Sequence, residues 1–179
     1  MMKRVSLLLF VALLTWGAAA SAGEYYYYND DERYWEYWDG QPPFKVLIPA
    51  NARSYVESDW GGRTTLTVNM GEKGPQLVIG TLPTTDVNQA WNALSAKWAA
   101  TANTARTTTN NEIQTDMGLT AAFRVLSAQS NSGPDAMVRM VAFRKGNGLV
   151  YMLFIGNASQ YGGDFQQHWL KAVHSFVWR

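Results

Sequence analysis

The chain has 179 residues, a formal net charge of +1 at pH 7 and no cysteine. A chain of this length supports one domain with a substantial hydrophobic core. The absence of cysteine excludes disulfides and a lipidated cysteine, so packing alone must stabilise the fold. The basic residues are scattered along a nearly neutral chain, which excludes the clustered basic face typical of nucleic-acid-binding proteins.

Residues 1–22 have the three parts of a secretion signal. Lys3 and Arg4 form a positive n-region, and Leu7–Leu14 forms an apolar h-region. Ala20–Ala22 is a small-residue cleavage site. The apolar run is much shorter than the roughly 20 residues that a membrane-spanning helix needs. We therefore predict cleavage near Ala22-Gly23 and a periplasmic or secreted mature protein without a transmembrane anchor, with a retained signal anchor as the alternative.

Composition divides the predicted mature chain into an arm, residues 23–43, and a body, residues 44–179. From Glu24 to Asp39 the arm holds six acidic residues and one basic residue, whereas twelve basic and eight acidic residues follow from Gly40 onward. The arm is therefore acidic and the body mildly basic.

Local signals in the arm predict a short helix. Asn29 followed by Glu32 matches a helix capping box, and Gly40 can end the helix. Pro42-Pro43 then interrupts regular structure before the body. We expect a short helix joined to the body by a stiff dipeptide.

Most of the body has the patterns of β-strands bounded by turn residues. The predicted strands are Phe44–Pro49, Arg53–Asp59, Thr64–Met70, Gln76–Leu82, Thr107–Gln114, Leu119–Ala128, Ala136–Arg144 and Leu149–Ile155. Gly61-Gly62 is a turn signal, and Asn147-Gly148 is a signal for a tight hairpin. Leu149–Ile155 has no polar position, so we expect it at the centre of a sheet with both faces covered.

Two segments of the body change to helical spacing. In Asp86–Ala102 the apolar residues recur every three or four positions. Asp164–Ser175 has the same period, with Phe165, Trp169 and Val173 on one stripe. Antiparallel strands with two amphipathic helices predict a single-domain α+β sandwich, an antiparallel sheet with helices packed on it.

This order of elements resembles the PsbP/Mog-like α/β/α sandwich and its bacterial relatives, the DcrB-like periplasmic proteins. The features that carry the resemblance are an opening strand ending in Pro49, one central helix, a strand beginning Gly118–Phe123 (GLTAAF), and a closing helix that runs into Ser175-Phe176. The resemblance covers about Phe44–Trp178. It implies an accessory, binding or assembly role and brings no catalytic residue set. The arm has no counterpart in the family.

The sequence contains no recognisable catalytic or metal-binding motif. His168 and His174 lie six residues apart and point to different faces of the closing helix, and Asp164 can share a face with His168. This gives two ligands at most, whereas zinc needs three or four. We therefore predict a surface Asp–His pair, no metal and no cofactor. We expect a non-enzymatic protein, with a hydrolase site in a cleft of the sandwich as the alternative.

The arm is the predicted functional element. Tyr and Trp side chains bury a large area with little loss of rotamer entropy, which is typical of binding hot spots. The candidate binding residues are Tyr25, Tyr26, Tyr27, Tyr28, Tyr34, Trp35, Tyr37 and Trp38. We predict that they bind another envelope protein, and carbohydrate stacking on the rings is an alternative. In a third interpretation the arm folds back and buries its aromatic side chains on the body.

Overall fold

A computed structural model describes residues 23–28, 30–40, 42–59, 64–101, 104–129 and 135–179. The predicted signal peptide, Asn29 of the predicted capping box and the Gly61-Gly62 turn lie outside these residues. Within the described ranges, no helix combines the length and the apolar character needed to cross a membrane.

The described residues form eleven strands and two α-helices. The strands are β1 Glu24–Tyr27, β2 Tyr34–Gly40, β3 Pro43–Pro49, β4 Ser54–Asp59, β5 Thr64–Asn69, β6 Gln76–Leu82, β7 Thr104–Gln114, β8 Thr120–Gln129, β9 Ala136–Lys145, β10 Gly148–Asn157 and β11 Val177–Trp178. The helices are α1 Val87–Thr101 and α2 Gly163–Ser175. The eight strands and two helices predicted for the body are confirmed, with ends that differ by at most three residues.

The strands form two antiparallel sheets. The large sheet has the order β4-β5-β6-β10-β9-β8-β7, and the small sheet has the order β1-β2-β3-β11. β10 lies at the centre of the large sheet, as its uninterrupted apolar sequence predicts. In the small sheet, β11 pairs with β3 through Val177↔Lys45 and Trp178↔Phe44. The small sheet corrects the sequence prediction, which placed only helices on the large sheet, and the architecture remains compatible with an α+β fold.

Two hydrophobic cores lie on opposite faces of the large sheet. Along β10, Val150 and Met152 join the core that faces α2 and the small sheet, whereas Tyr151 and Leu153 join the core beneath α1. Helix α1 contributes Trp91 to the second core. The alternation follows from the period of two residues along a strand. The large sheet is therefore covered on both faces.

The prediction of a helix in the arm is wrong, because this segment forms paired strands. β1 pairs with β2, and β2 pairs with β3 from Tyr34↔Pro49 to Gly40↔Pro43. Tyr and Trp favour strands, where their rings pack on cross-strand neighbours, and this packing outweighs a local capping signal. Pro43 is the first residue of β3, a position at which a strand accommodates proline. The two prolines therefore belong to a hairpin that continues the sheet.

The turn between β9 and β10 lies one residue earlier than the predicted Asn147-Gly148 pair. Lys145 pairs directly with Gly148, which leaves Gly146 and Asn147 as the two turn residues. Gly146 has φ of +60°, a conformation in which glycine avoids the steric penalty of a Cβ atom.

Candidate functional site

The aromatic side chains of the arm divide between the two faces of the small sheet, because successive strand residues point in opposite directions. The inner face, which faces the large sheet, carries Tyr25, Tyr27, Trp35 and Tyr37. The outer face carries Glu24, Tyr26, Glu36 and Trp38. The predicted binding residues therefore do not form one continuous surface.

An open groove of about 550 Å³ lies between the inner face of the small sheet and strand β4. The described residues that line it are Tyr25, Trp35, Tyr55 and Glu57. Among the described strands, β1 is at the edge of the small sheet and β4 is at the edge of the large sheet. The groove thus lies where two strand edges run past each other, and strand edges offer unpaired backbone groups to other chains.

Two hydrogen bonds hold the walls of the groove in place. The Tyr25 hydroxyl donates to Glu57 Oε1 at 2.6 Å and so connects β1 with β4. The Tyr55 hydroxyl donates to the backbone carbonyl of Pro49. The Tyr25 ring centre lies 5.3 Å from that of Tyr37 and 6.3 Å from that of Tyr55, separations typical of favourable aromatic pairs. The groove is therefore preorganised in the absence of a ligand.

Of the described residues that line the groove, Glu57 is acidic and none is basic. Glu57 lies in the wall, and Asp39 on the same face of β2 accepts a hydrogen bond from the Tyr37 hydroxyl at 3.3 Å. Burial, and after it the hydrogen bond to Glu57, raises the pKa of Tyr25 far above its ordinary value. The Tyr25 phenol is protonated at neutral pH, as an ordinary tyrosine is, and its proton is directed at the carboxylate.

Tyr27 lies beside the groove, on the same face of the small sheet as Tyr25 and Trp35. Its ring lies edge-on to Trp35, with 5.9 Å between the ring centres. The side chains of Tyr25 and Tyr27 are 41% and 54% exposed, so aromatic surface remains available to a partner.

The aromatic side chains of the outer face are already in contact with groups of this chain. The Tyr26 and Trp38 ring centres are 4.4 Å apart. The Arg179 guanidinium lies 3.7 Å from the centre of the Trp38 ring, which is a cation–π contact. These contacts occupy ring surface of Trp38 that a stacked sugar would need.

Tyr28 and Tyr34 contact α2 instead of the groove. Lys171 Nζ lies 5.9 Å from the Tyr28 ring centre and 5.7 Å from the Tyr34 ring centre. Tyr34 is only 3% exposed, and its hydroxyl lies 3.2 Å from His168 Nδ1. Together with the fully buried Tyr37, Tyr34 shows that the arm packs on the body in part, while its edge strand leaves other rings exposed.

A second cleft, of about 530 Å³, lies beside the start of α2 and brings Asp164 and His168 together. Burial lowers the pKa of His168, and Asp164 opposes this effect. Ser159 also lines the cleft, but its hydroxyl donates to Asn157 Oδ1 at 2.6 Å within the turn that precedes α2. That hydroxyl is thus used in capping the turn.

His174 lies away from this cleft, and its Nδ1 is 2.8 Å from Asp116 Oδ1. The two histidines therefore occupy different surroundings, as their spacing predicts. In the part of the chain that the structure describes, no three His, Asp or Glu side chains come close enough to share a metal ion.

Solved structures with a similar fold include the solution structure of cyanobacterial PsbP (CyanoP) from Synechocystis sp. PCC 6803. It matches with a TM-score of 0.58 and 10% sequence identity, over 80% of this chain and 91% of that chain. The fold is PsbP-like. At this identity the similarity concerns the fold alone.

The crystal structure of a protein of unknown function from Pseudomonas aeruginosa also matches, with a TM-score of 0.46 and 13% identity. The match covers 89% of this chain and 99% of that chain. No family model matches the sequence, and no curated protein is detectably similar to it.

Within the PsbP-like fold, Tyr55 and Glu57 are the groove residues that the sequence does not identify as binding residues. They alternate with Val56 along β4, so the sequence does indicate that they share a face of that strand. The sequence gives no sign that the arm pairs as strands and thereby reaches β4. Their contribution to the groove is visible only in the tertiary structure.

Proposed function

We propose that this protein is a non-enzymatic binding protein of the cell envelope and that it holds a partner protein in the groove between β1 and β4. The observation that carries the proposal is the groove itself, in which three aromatic walls and one carboxylate face solvent. Rigid aromatic side chains in a cleft favour binding because they bury a large area with little loss of rotamer entropy. The location outside the cytoplasm rests on the predicted signal peptide.

A protein partner is favoured because the groove runs beside an edge strand. All four residues of β1 are exposed. An extended segment of a partner could pair with the backbone of such an edge, and its alternate side chains would then point toward the groove. Backbone pairing would supply affinity, and the aromatic walls would supply selectivity.

The PsbP-like fold supports this proposal indirectly. The resemblance described above implies accessory, binding or assembly roles, and a binding groove formed from strand edges suits such roles. The finer resemblance to DcrB-like periplasmic proteins stays a prediction and points to the same compartment.

Site-specific photo-crosslinking in the native host tests the proposal. A photoreactive residue replaces Tyr27 at the rim of the groove, and in a matched control it replaces Leu170, which is 41% exposed on α2. We expect a discrete crosslinked product from position 27 and none of the same mass from position 170. We also expect Tyr25→Ala to abolish the product in a protein that remains folded by circular dichroism.

Two results would contradict the proposal. One is a product of the same mass and yield from both positions. The other is a product at position 27 that persists unchanged in the folded Tyr25→Ala variant.

A further inference from the structure

We infer that the groove recognises a cationic side chain of the partner, a lysine or an arginine, which enters between the aromatic walls and pairs with Glu57. The inference rests on the proposed function and deepens it by naming the chemistry of the contact.

The rings around the groove provide several surfaces for a cation. The Tyr25 and Tyr55 rings meet at an interplanar angle of 72°, so they present differently oriented surfaces around one opening. Trp35 completes the wall, and tryptophan is the aromatic residue that attracts cations most strongly. A group enclosed by several rings is partly shielded from water, which strengthens its attraction to the ring faces.

Among the described residues, no cationic side chain pairs with the carboxylate of the groove. In the described residues the arm carboxylates Asp31 and Glu36 form ion pairs with Arg33 and Lys45, at 2.8 and 3.2 Å. No ion pair of the described residues includes Glu57. Its Oε1 accepts the Tyr25 proton, and a carboxylate has capacity for further hydrogen bonds, so an ammonium or guanidinium group can bind there as well.

Elsewhere the chain covers its aromatic side chains with its own cations. Arg179 lies 3.7 Å from the centre of the Trp38 ring, and Lys145 Nζ lies 5.2 Å from the centre of the Trp178 ring. Lys171 lies between Tyr28 and Tyr34, as described above. Among the described residues, no such contact involves Tyr25, Trp35 or Tyr55. In the part of the chain that the structure describes, the rings of the groove thus keep faces that no cation of this chain contacts.

Titration calorimetry of the purified protein with synthetic peptides tests the inference. The probe is a hexapeptide of alternating threonine and lysine, because alternate side chains of an extended peptide point to the same side. The matched peptides carry norleucine, which keeps the aliphatic stem without the charge, or glutamate in place of lysine. We expect the lysine peptide to bind at least about ten-fold more tightly than the norleucine peptide, more weakly at high salt, and the glutamate peptide not to bind.

Two protein variants locate the site. Glu57→Gln removes the charge and keeps the shape, and we expect about a ten-fold loss of affinity for the lysine peptide. The matched control is Glu112→Gln, which changes a carboxylate on the opposite edge strand, β7, where it pairs with Arg144 at 3.1 Å. We expect this control to bind like the parent protein. Equal melting temperatures confirm that each variant is folded.

The inference is overturned if the norleucine peptide binds as tightly as the lysine peptide, or if folded Glu57→Gln binds like the parent. Binding of a chito-oligosaccharide to the groove in place of the lysine peptide would also overturn it. A partner crosslinked at position 27 without any lysine preference would reject the cationic contact and leave the proposed function standing. Loss of the crosslinked partner itself would instead reject the proposed function.

Discussion

Tyr25 and Glu57 are 32 residues apart in the chain, and a single hydrogen bond of 2.6 Å between them joins the edge strands of two sheets. Tyr25 belongs to β1 of the small sheet and Glu57 belongs to β4 of the large sheet. The bond sets the distance between the two edges and so the width of the groove. Because the acceptor is a carboxylate, the bond is stronger than one between neutral groups.

Tyr25→Phe should widen the groove without removing the aromatic wall. The phenylalanine ring keeps the packing on Tyr37 and Tyr55, but the carboxylate of Glu57 loses its donor. We expect a loss of about 1 kcal/mol in the free energy of unfolding, measured by urea denaturation, since the bond is partly exposed. Tyr27→Phe is the matched control on the same strand and should change this value by less than about 0.5 kcal/mol. Equal losses in the two variants would contradict the assigned role of the Tyr25 hydroxyl.

The raised pKa values of Tyr37, which is fully buried, and of the partly exposed Tyr25 predict a loss of stability at high pH. Burial is the main cause that raises the pKa of Tyr37 and of Tyr25 above the value of about 10 in an unfolded chain. The folded state therefore holds these protons more tightly, so their contribution to stability is complete below pH 10 and is lost as the pH rises above it.

Thermal melting measured against pH tests this expectation with Tyr37→Phe. The variant keeps the buried ring and removes the ionisable hydroxyl, so its melting temperature should fall less steeply above about pH 10 than that of the parent. If the melting temperatures of both proteins fall equally steeply at alkaline pH, Tyr37 does not contribute to this loss of stability.

Deletions within the arm should separate the role of β2, which packs in the core, from the role of β1, which forms one wall of the groove. Removal of residues 23–41, which is the arm up to its two prolines, strips β2 from β3 and takes away Tyr37, which is fully buried in the core. We expect this deletion to abolish cooperative unfolding. Removal of β1 alone, Glu24–Tyr27, deletes only exposed residues and one wall of the groove.

The shorter deletion should leave a cooperative thermal transition. It should also abolish the crosslinked product, which is read from a photoreactive residue at Tyr55 in the wall of the groove and compared with the same replacement in the full chain. A deletion of residues 23–41 that melts like the parent would contradict the packing role of β2. In that case the arm would be a binding appendage, and the interpretation that it buries its aromatic side chains on the body would be wrong.

Phe176 should be one of the most sensitive positions in the core. Its ring stacks on Phe143 of the large sheet with 3.9 Å between ring centres, and it lies 5.6 Å from Phe44 of the small sheet. We expect Phe176→Ala to reduce the free energy of unfolding by about 3–5 kcal/mol in chemical denaturation, because the substitution leaves a cavity between both sheets. Leu170→Ala, at an exposed position of α2, should change it by less than about 0.5 kcal/mol. A small effect at Phe176 would show that the contact between the sheets does not depend on this ring.

The sequence predicts the body well because its elements have strong periodic patterns. β10 could be placed at the centre of a sheet because an apolar strand must be covered on both faces, and the stripe of α2 that contains Trp169 is buried as its spacing indicates. The arm was predicted as a helix because capping residues are a local signal. The pairing of Tyr25 with Tyr37 and the packing of Tyr37 in the core are non-local, so no short window of sequence contains them.

The difference between local and non-local signals also explains which residues of the groove the sequence identifies. Tyr25 and Trp35 were identified by residue type alone, since aromatic side chains favour binding sites in any fold. Which aromatic residues of the arm reach the groove, the core or the outer face depends on strand register, because a shift of one residue moves every side chain to the other face of the sheet. Tyr55 and Glu57 enter the groove only because the small sheet lies over β4.

The small sheet joins segments that are far apart in the sequence, and this has a consequence for the order of folding. β3 pairs with β11, and the Leu47 backbone N–H donates to Ser175 Oγ across 128 residues. Strands β8, β9 and β10 pair with their sequence neighbours and can form early, whereas contacts at long separation carry a large loop-closure entropy and form slowly. Strands β1, β2 and β3 also pair with their sequence neighbours, so the slow steps are the pairing of β3 with β11 and the docking of the small sheet on the large sheet. Until this docking occurs, the inner rings of the arm stay unprotected, and we expect aggregation to compete with folding at this stage.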